Sequence, residues 1–163
     1  MDLSFLKKVS MFKELTSNEL KTFASKLKLV KYREGDAIIT EDEMSDIMYI
    51  LYTGKVVISK KMSLIDEQEQ INKTFIVLSA ENYVFFGEIG LLGLQKRTAT
   101  CSAKTDCQFY TINHKDFMSI CKDNPDIGFK VLLEISRQLS HLIERTNEDV
   151  LKLTTALIYA LKG

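Results

Sequence analysis

Histidine and cysteine are scarce in this chain, and neither is arranged for chemistry. The 163 residues include two histidines and three cysteines. Cys101, Cys107 and Cys121 form no C-x-x-C pair and no even framework, which argues against a disulfide scaffold or a zinc site. They read as reduced thiols of a cytoplasmic protein. Net charge is also missing. Lysine plus arginine and aspartate plus glutamate each number 22, so no global field draws the molecule to nucleic acid or an anionic surface, and any anion recognition has to be local. No apolar run approaches the ~20 residues of a membrane-spanning helix, and the opening MDLSFLKKVSMFKEL mixes charge with apolar residues. The expectation is a cytoplasmic protein with no membrane partner. Nothing places a histidine pair, a metal-ligand cluster or a nucleophile beside its base, so the protein reads as a binder and not an enzyme. His114 and Cys121, seven apart on one expected helix, read as helix surface or core in preference to a metal or redox pair.

What is present is enough for a core: a chain of this length buries roughly 70% of its unfolded surface, and one domain over 1–163 is expected. Thr16 to Glu19 fits a capping box, and Leu20, Phe23, Ala24 and Leu27 recur at helical spacing, predicting a helix over about 16–28. From Leu29 the texture changes to short β-rich runs, LVKY, DAIIT, IMYILY, KVVIS, FIVL and YVFF, punctuated by Gly35 and Gly54. Such a series suggests a sandwich or small barrel over 29–113. The polar MSLIDEQEQINK, residues 62–73, reads as an exposed hairpin tip or loop. TATCSA and CQFYTIN resume the strand pattern. Asn113 then offers an N-cap for a short helix from His114 to Cys121, and Asn124-Pro125 opens a second one. From there Leu132, Ile135, Leu139, Ile143, Thr146, Val150, Leu153, Leu157 and Leu161 follow at spacings of three or four. They describe one long helix, or two joined near Thr146 to Asp149. A single stripe can simply cover the β-domain, but a helix of that length outruns a small one and leaves apolar residues needing a partner, so a homodimer through it is expected over purely intramolecular packing.

The stretch FGEIGLLGLQKRTAT, residues 86–100, carries the ligand chemistry. Gly87, Gly90 and Gly93 suit a backbone that turns tightly or approaches something closely. Arg97 presents a planar fork that matches two phosphate oxygens, and Thr98 adds a hydroxyl. A carboxylate does not favour phosphate, so Glu88 suits a sugar hydroxyl instead. Together they describe one ligand carrying both groups, with IGLLGL curled into a short helical turn between them. The alternative on residue type alone is a solvated glutamate, a surface arginine and three turn glycines.

FGE-I-G-L followed by a short spacer and R-T-A-T resembles the phosphate-binding cassette of the cyclic nucleotide-binding domain family, which spans bacterial cAMP-responsive regulators and the regulatory subunits of cyclic-nucleotide-dependent protein kinases. The likeness extends over almost the whole chain, through VSMFKELTSNELKTFASKLKLVKYREGDAII, DIMYILYTGKVVIS and NPDIGFKVLLEISRQL. It implies an eight-stranded double-sheet jelly roll with helices at both ends, mainly β with α. It further implies that Arg97 binds the exocyclic phosphate and Glu88 the ribose 2′-hydroxyl. The backbone of Gly87, Ile89 and Ala99 would complete the clamp, with Phe86 and Gly90 in the same segment and Thr98 reaching the phosphate or base. Val77 and Leu78 stand at strand positions that line the sugar and base pocket in the family, and a core role suits them equally. On the C-terminal helix, Leu142 and Ile143 replace a hydroxyl pair that meets adenine in a family member; an apolar lid covers a purine without choosing its exocyclic group. Glycines usual in the family are replaced by Asp42, Ser45 and Tyr83. The resemblance therefore implies a stand-alone cAMP sensor, with cGMP as the close alternative because Thr98 follows the cassette arginine as in cGMP-selective kinase domains. Its helix would signal to an unknown downstream protein. The other classes are a ligand-free interaction module and a sensor of a different effector, such as a cyclic dinucleotide, heme or an iron-sulfur centre, the last weakened because the cysteines form no cluster ligand set. The chain ends near where transcription factors of the family begin their helix-turn-helix, so DNA binding is not expected of it.

Overall fold

The chain enters through helices. In the computed structural model, which describes residues 1–63 and 70–162, α1 (Leu3–Leu6) and a 3-10 turn (Ser10–Phe12) lead to α2 (Ser17–Ala24). The capping box forms as the sequence predicts: Glu19 N–H donates to Thr16 Oγ1 at 3.3 Å and Thr16 N–H to Glu19 Oε2 at 2.7 Å. The helix ends four residues before the expected limit. Lys26 and Leu27 bond back only three residues, to Phe23 and Ala24, and Lys28 is drawn into a strand opposite Thr111.

Ten strands follow: β1 (Lys28–Tyr32), β2 (Ala37–Ile39), β3 (Met44–Ser45), β4 (Ile47–Thr53), β5 (Lys55–Ser63), β6 (Gln70–Ser79), β7 (Phe85–Phe86), β8 (Gln95–Lys96), β9 (Thr100–Ala103) and β10 (Cys107–Asn113). Eight of them make two four-stranded sheets, ordered β1-β10-β4-β7 and β2-β9-β5-β6, while β3 and β8 form a separate ribbon. All pairings are antiparallel. This is the double-sheet jelly roll. The expected loop at 62–73 is corrected in part: β5 and β6 stay paired out to Met62↔Ile71 and Ser63↔Gln70, because a ladder is satisfied by backbone groups whatever the side chains. The tip of that hairpin lies outside the described residues.

The run IMYILY reads as nearly continuous apolar because its strand is buried on both faces. Met48 and Ile50 point into a core shared with the helices, and Tyr49 and Leu51 point between the sheets. β10 divides the same way, Tyr110 and Ile112 to the helices, Cys107 and Phe109 between the sheets. Phe109 is fully buried among the rings of Tyr32, Tyr49 and Phe86, at centroid distances of 5.7, 5.7 and 5.9 Å.

Two helices close the chain, α3 (His114–Asp123) and α4 (Pro125–Lys162). Asn113 caps α3 through its side chain, accepting from Asp116 N–H at 2.8 Å. Ile127, Val131 and Ile135 of α4 are buried in the helical core, and Leu132 and Leu139 pack at its margin. From Ser140 to Leu161 every residue is exposed. There is one helix, not two: Thr146 turns its hydroxyl back to Leu142 O at 2.8 Å and the helix continues through Asp149.

Candidate functional site

The segment from Phe86 to Cys101 wraps one wall of a cavity of about 260 Å³. Phe86 ends β7, and the backbone then passes through Gly87 at φ +75° into a 3-10 helix, Glu88–Leu92. The expected helical turn therefore forms. Gly87 is fixed by space as well as by φ: a Cβ there would lie 2.8 Å from Arg97 Nη1 and 3.1 Å from Ile47 O. Gly90 is equally close to its neighbour, since its Cβ would meet the Asp46 carbonyl carbon at 3.1 Å and Ile47 N at 3.2 Å.

Arg97 is the most deeply buried cation near this wall, only 7% exposed. Its guanidinium is oriented by protein oxygens. Nη1 donates to Gly87 O at 3.3 Å, and Nη2 to Ser45 Oγ at 2.7 Å and to Ile47 O. Nε is buried and has no hydrogen-bond partner among the described residues. Burial lowers the guanidinium's proton affinity, while Tyr49, Asp46 and Glu88 work in the opposite direction; an arginine keeps its charge throughout. Arg97 is also stitched in by its backbone, N–H to Glu43 O and its own carbonyl to Asp42 N–H, each at 2.9 Å.

Glu88 is half-buried on the same wall. Burial raises its carboxyl above the ordinary value of 4.5; a backbone hydrogen bond and the Arg97 charge offset part of that rise. None of the ion pairs among the described residues joins Glu88 to Arg97. The wall thus holds a cation and an acceptor that do not neutralise one another.

Of the other sequence-derived candidates, Phe86, Gly87, Ile89, Gly90, Thr98 and Ala99 all line the cavity, and Leu142 of α4 reaches it from the far side. Three do not. Val77 is 44% exposed, Leu78 packs into the intersheet core, and Ile143 is 61% exposed on α4. The wall at that side is made instead by Ile39, Ile58 and Thr100. Strand alternation gives the reason for Ile58: it follows Val57, which pairs with Val77, and so points to the opposite face. Gln95 and Lys96 of β8 line the mouth.

The three glycine replacements behave differently from one another. Among the described residues, Asp42 and Tyr83 are the non-glycine residues with positive φ, 71° and 51°, so they adopt the glycine conformation at local cost. Ser45 lies extended in β3 and supplies a hydroxyl to Arg97. Its part in the site had no signal in the local sequence, because the contact spans 52 residues.

The cyclic nucleotide-binding domain profile matches residues 29–124. The chain belongs to the cyclic nucleotide-binding domain family. It is similar to the cAMP-activated global transcriptional regulator CRP of Salmonella typhimurium, 30% identical over 139 residues, covering 85% of this chain and 61% of that protein. A cAMP-dependent protein kinase regulatory subunit of Yarrowia lipolytica is 29% identical over 116 residues, 71% of this chain and 28% of the relative. This cyclic nucleotide-binding domain therefore spans less than two thirds of the length of these relatives. Among solved structures, the catabolite activator protein of Thermus thermophilus superposes with a TM-score of 0.76 at 19% identity, covering 89% of this chain and 63% of that one, which shows the shared fold. Among the described residues no group of three or more His, Cys, Asp or Glu gathers to hold a metal ion, and no helix is long and apolar enough to cross a membrane.

Proposed function

We propose that this domain is a cyclic mononucleotide sensor, with cAMP as its preferred ligand, and that ligand acts on the placement of α4. The observation that carries the reading is Arg97: a buried guanidinium, aimed by Ser45, Gly87 and Ile47, on a wall that also carries a half-buried Glu88 not paired to it. Burying a cation is expensive unless it is paired, and a phosphate is the anion that matches its fork. Glu88 then accepts from the sugar 2′-hydroxyl. The two relatives are a cAMP-activated regulator and a cAMP-dependent kinase subunit, which supports cAMP over other cyclic nucleotides.

Leu142 joins the cavity to α4, so a purine seated there meets the helix. Beyond it Ile143, Val150 and Leu157 recur every seven residues and are 61, 56 and 59% exposed, with Leu153 at 70%. β-branched residues at the first two of these positions, with Leu153 between the second and third, suit a two-stranded parallel coil. The output is then a homodimer whose helices re-pack when the ligand binds one arrangement more tightly than the other. The partner that reads it is an unidentified protein.

Calorimetric titration with cAMP and with cGMP tests the reading, on protein first freed of any bound nucleotide by denaturation and refolding. Saturable binding of cAMP, tighter than cGMP, is the expected result. Tighter cGMP binding reverses the choice of base, and failure to bind either removes the reading altogether.

A further inference from the structure

His114 lies outside the cavity lining and bonds the two backbone segments that hold Arg97 and Glu88. It opens α3, and its backbone N–H donates to Asp46 O at 3.0 Å. Its ring Nδ1 lies 2.7 Å from Leu91 O. A carbonyl oxygen can only accept, so Nδ1 carries the proton and, in the neutral ring, Nε2 is the bare nitrogen.

The two acceptors belong to different halves of the site. Asp46 lies between Ser45 and Ile47, which both accept from Arg97 Nη2. Leu91 lies in the 3-10 helix that carries Glu88, and its side chain is fully buried in the core with Phe117 and Ile120 of α3. The tight approach of Gly90 to the Asp46–Ile47 backbone shows that the two halves touch. His114 bonds to both sides of that contact.

We propose that His114 is a positioning residue for ligand binding. Its imidazole holds the 3-10 helix, and so Glu88, at a fixed offset from the cradle of Arg97, and it refers both to α3. It touches no ligand itself. The inference rests on the reading of this cavity as a cyclic nucleotide site, but the clamp has signatures that need no nucleotide.

The test compares the full chain with His114→Asn, whose side-chain amide presents a donor near the position of Nδ1, and His114→Leu, which has none. Three readouts apply: cAMP affinity by calorimetry, hydrogen exchange at the Gly90 and Gly93 amides of the 3-10 helix, and the urea midpoint. Loss of one such hydrogen bond predicts about fivefold to tenfold weaker cAMP binding for His114→Leu, with faster exchange at Gly90 and Gly93. His114→Asn is expected to recover most of both. Equal affinity and equal exchange in the two variants overturn the clamp, as does a loss of affinity that follows only the urea midpoint. If His114→Leu does not fold, nitrogen NMR of the parent decides the matter: an Nδ1–H tautomer is required, and an Nε2–H tautomer overturns the proposal. If the parent binds neither cAMP nor cGMP, yet exchange follows the donor, the clamp stands and the nucleotide reading fails.

Discussion

Arg97 shows how much of a buried guanidinium can be committed to its own protein. Three of its contacts fix the plane of the fork, so a substitution here removes both charge and direction. Arg97→Ala is expected to weaken cAMP binding at least about 30-fold, the lower range for deleting one partner of a buried charged pair. Arg97→Lys should fall between that variant and the parent, since it keeps charge without the fork. Calorimetry on the three proteins checks the order. Glu88 adds a pH signature. Its carboxyl is raised by burial, and on the proposed reading its ionised form accepts from the ligand hydroxyl, so affinity is expected to be complete at high pH and to fall as the carboxyl protonates, starting at a higher pH than for an ordinary glutamate. Titrations from pH 7 downward should show that decline in the parent and not in Glu88→Gln. Much of this was legible in the sequence, because the cassette keeps its chemistry within fifteen consecutive residues. Ser45, Ile47 and His114 were not, since each meets the cassette only after the chain has folded back across the sheet. Val77, Leu78 and Ile143 were named from strand and helix positions that the family resemblance implied, and they do not line this cavity, because strand alternation and helix rotation decide which side chains face it.

At the scale of elements, the entry helices are tied to α4 by ion pairs. Lys130 reaches Glu19 at 2.7 Å and Lys13 reaches Glu134 at 2.7 Å, with Arg137 as a second partner of Glu134. Hydrogen bonds from Lys130 and from the Thr16 backbone hold the Glu19 carboxyl down, from 4.5 to about 2. Burial opposes ionisation of Glu134, but Lys13 and Arg137 outweigh it and keep that carboxyl below its usual range too. Both are depressed in the folded state, so their contributions are complete above the ordinary carboxyl value of 4.5 and are lost as pH falls below it, that of Glu19 as pH approaches about 2. The urea midpoint should therefore drop across that window, and Glu19→Gln should start lower at neutral pH and show a shallower drop. The capping box that places Glu19 was readable from Thr16 and Glu19 alone. Its second role was not, because Lys130 is 111 residues away. Helix ends and hairpin lengths were misjudged for a related reason: Lys28 and Ile71 take their conformation from strand partners, and polar composition carries no record of a partner.

For the whole molecule, α4 divides into a buried third and an exposed remainder, and the proposed homodimer rests on the exposed part. Removing the residues after Arg145 should leave the β-domain folded and convert a dimer into a monomer, read by light scattering as a halving of mass. Leu153→Glu in the full chain should do the same by placing like charges across the seam. A truncated chain that kept the parent's mass would assign the contact to another surface. The sequence showed the stripe but left open whether a break near Thr146 interrupted it, and the continuous helix answers that. The answer has a mechanical side. Between Leu139, its last packed leucine, and Lys162 the helix extends about 35 Å at 1.5 Å per residue, so a tilt of about 10° at Leu139 carries the far end through about 6 Å. A rotation too small to register as a change in cavity shape becomes, at Lys162, a displacement wider than a side chain.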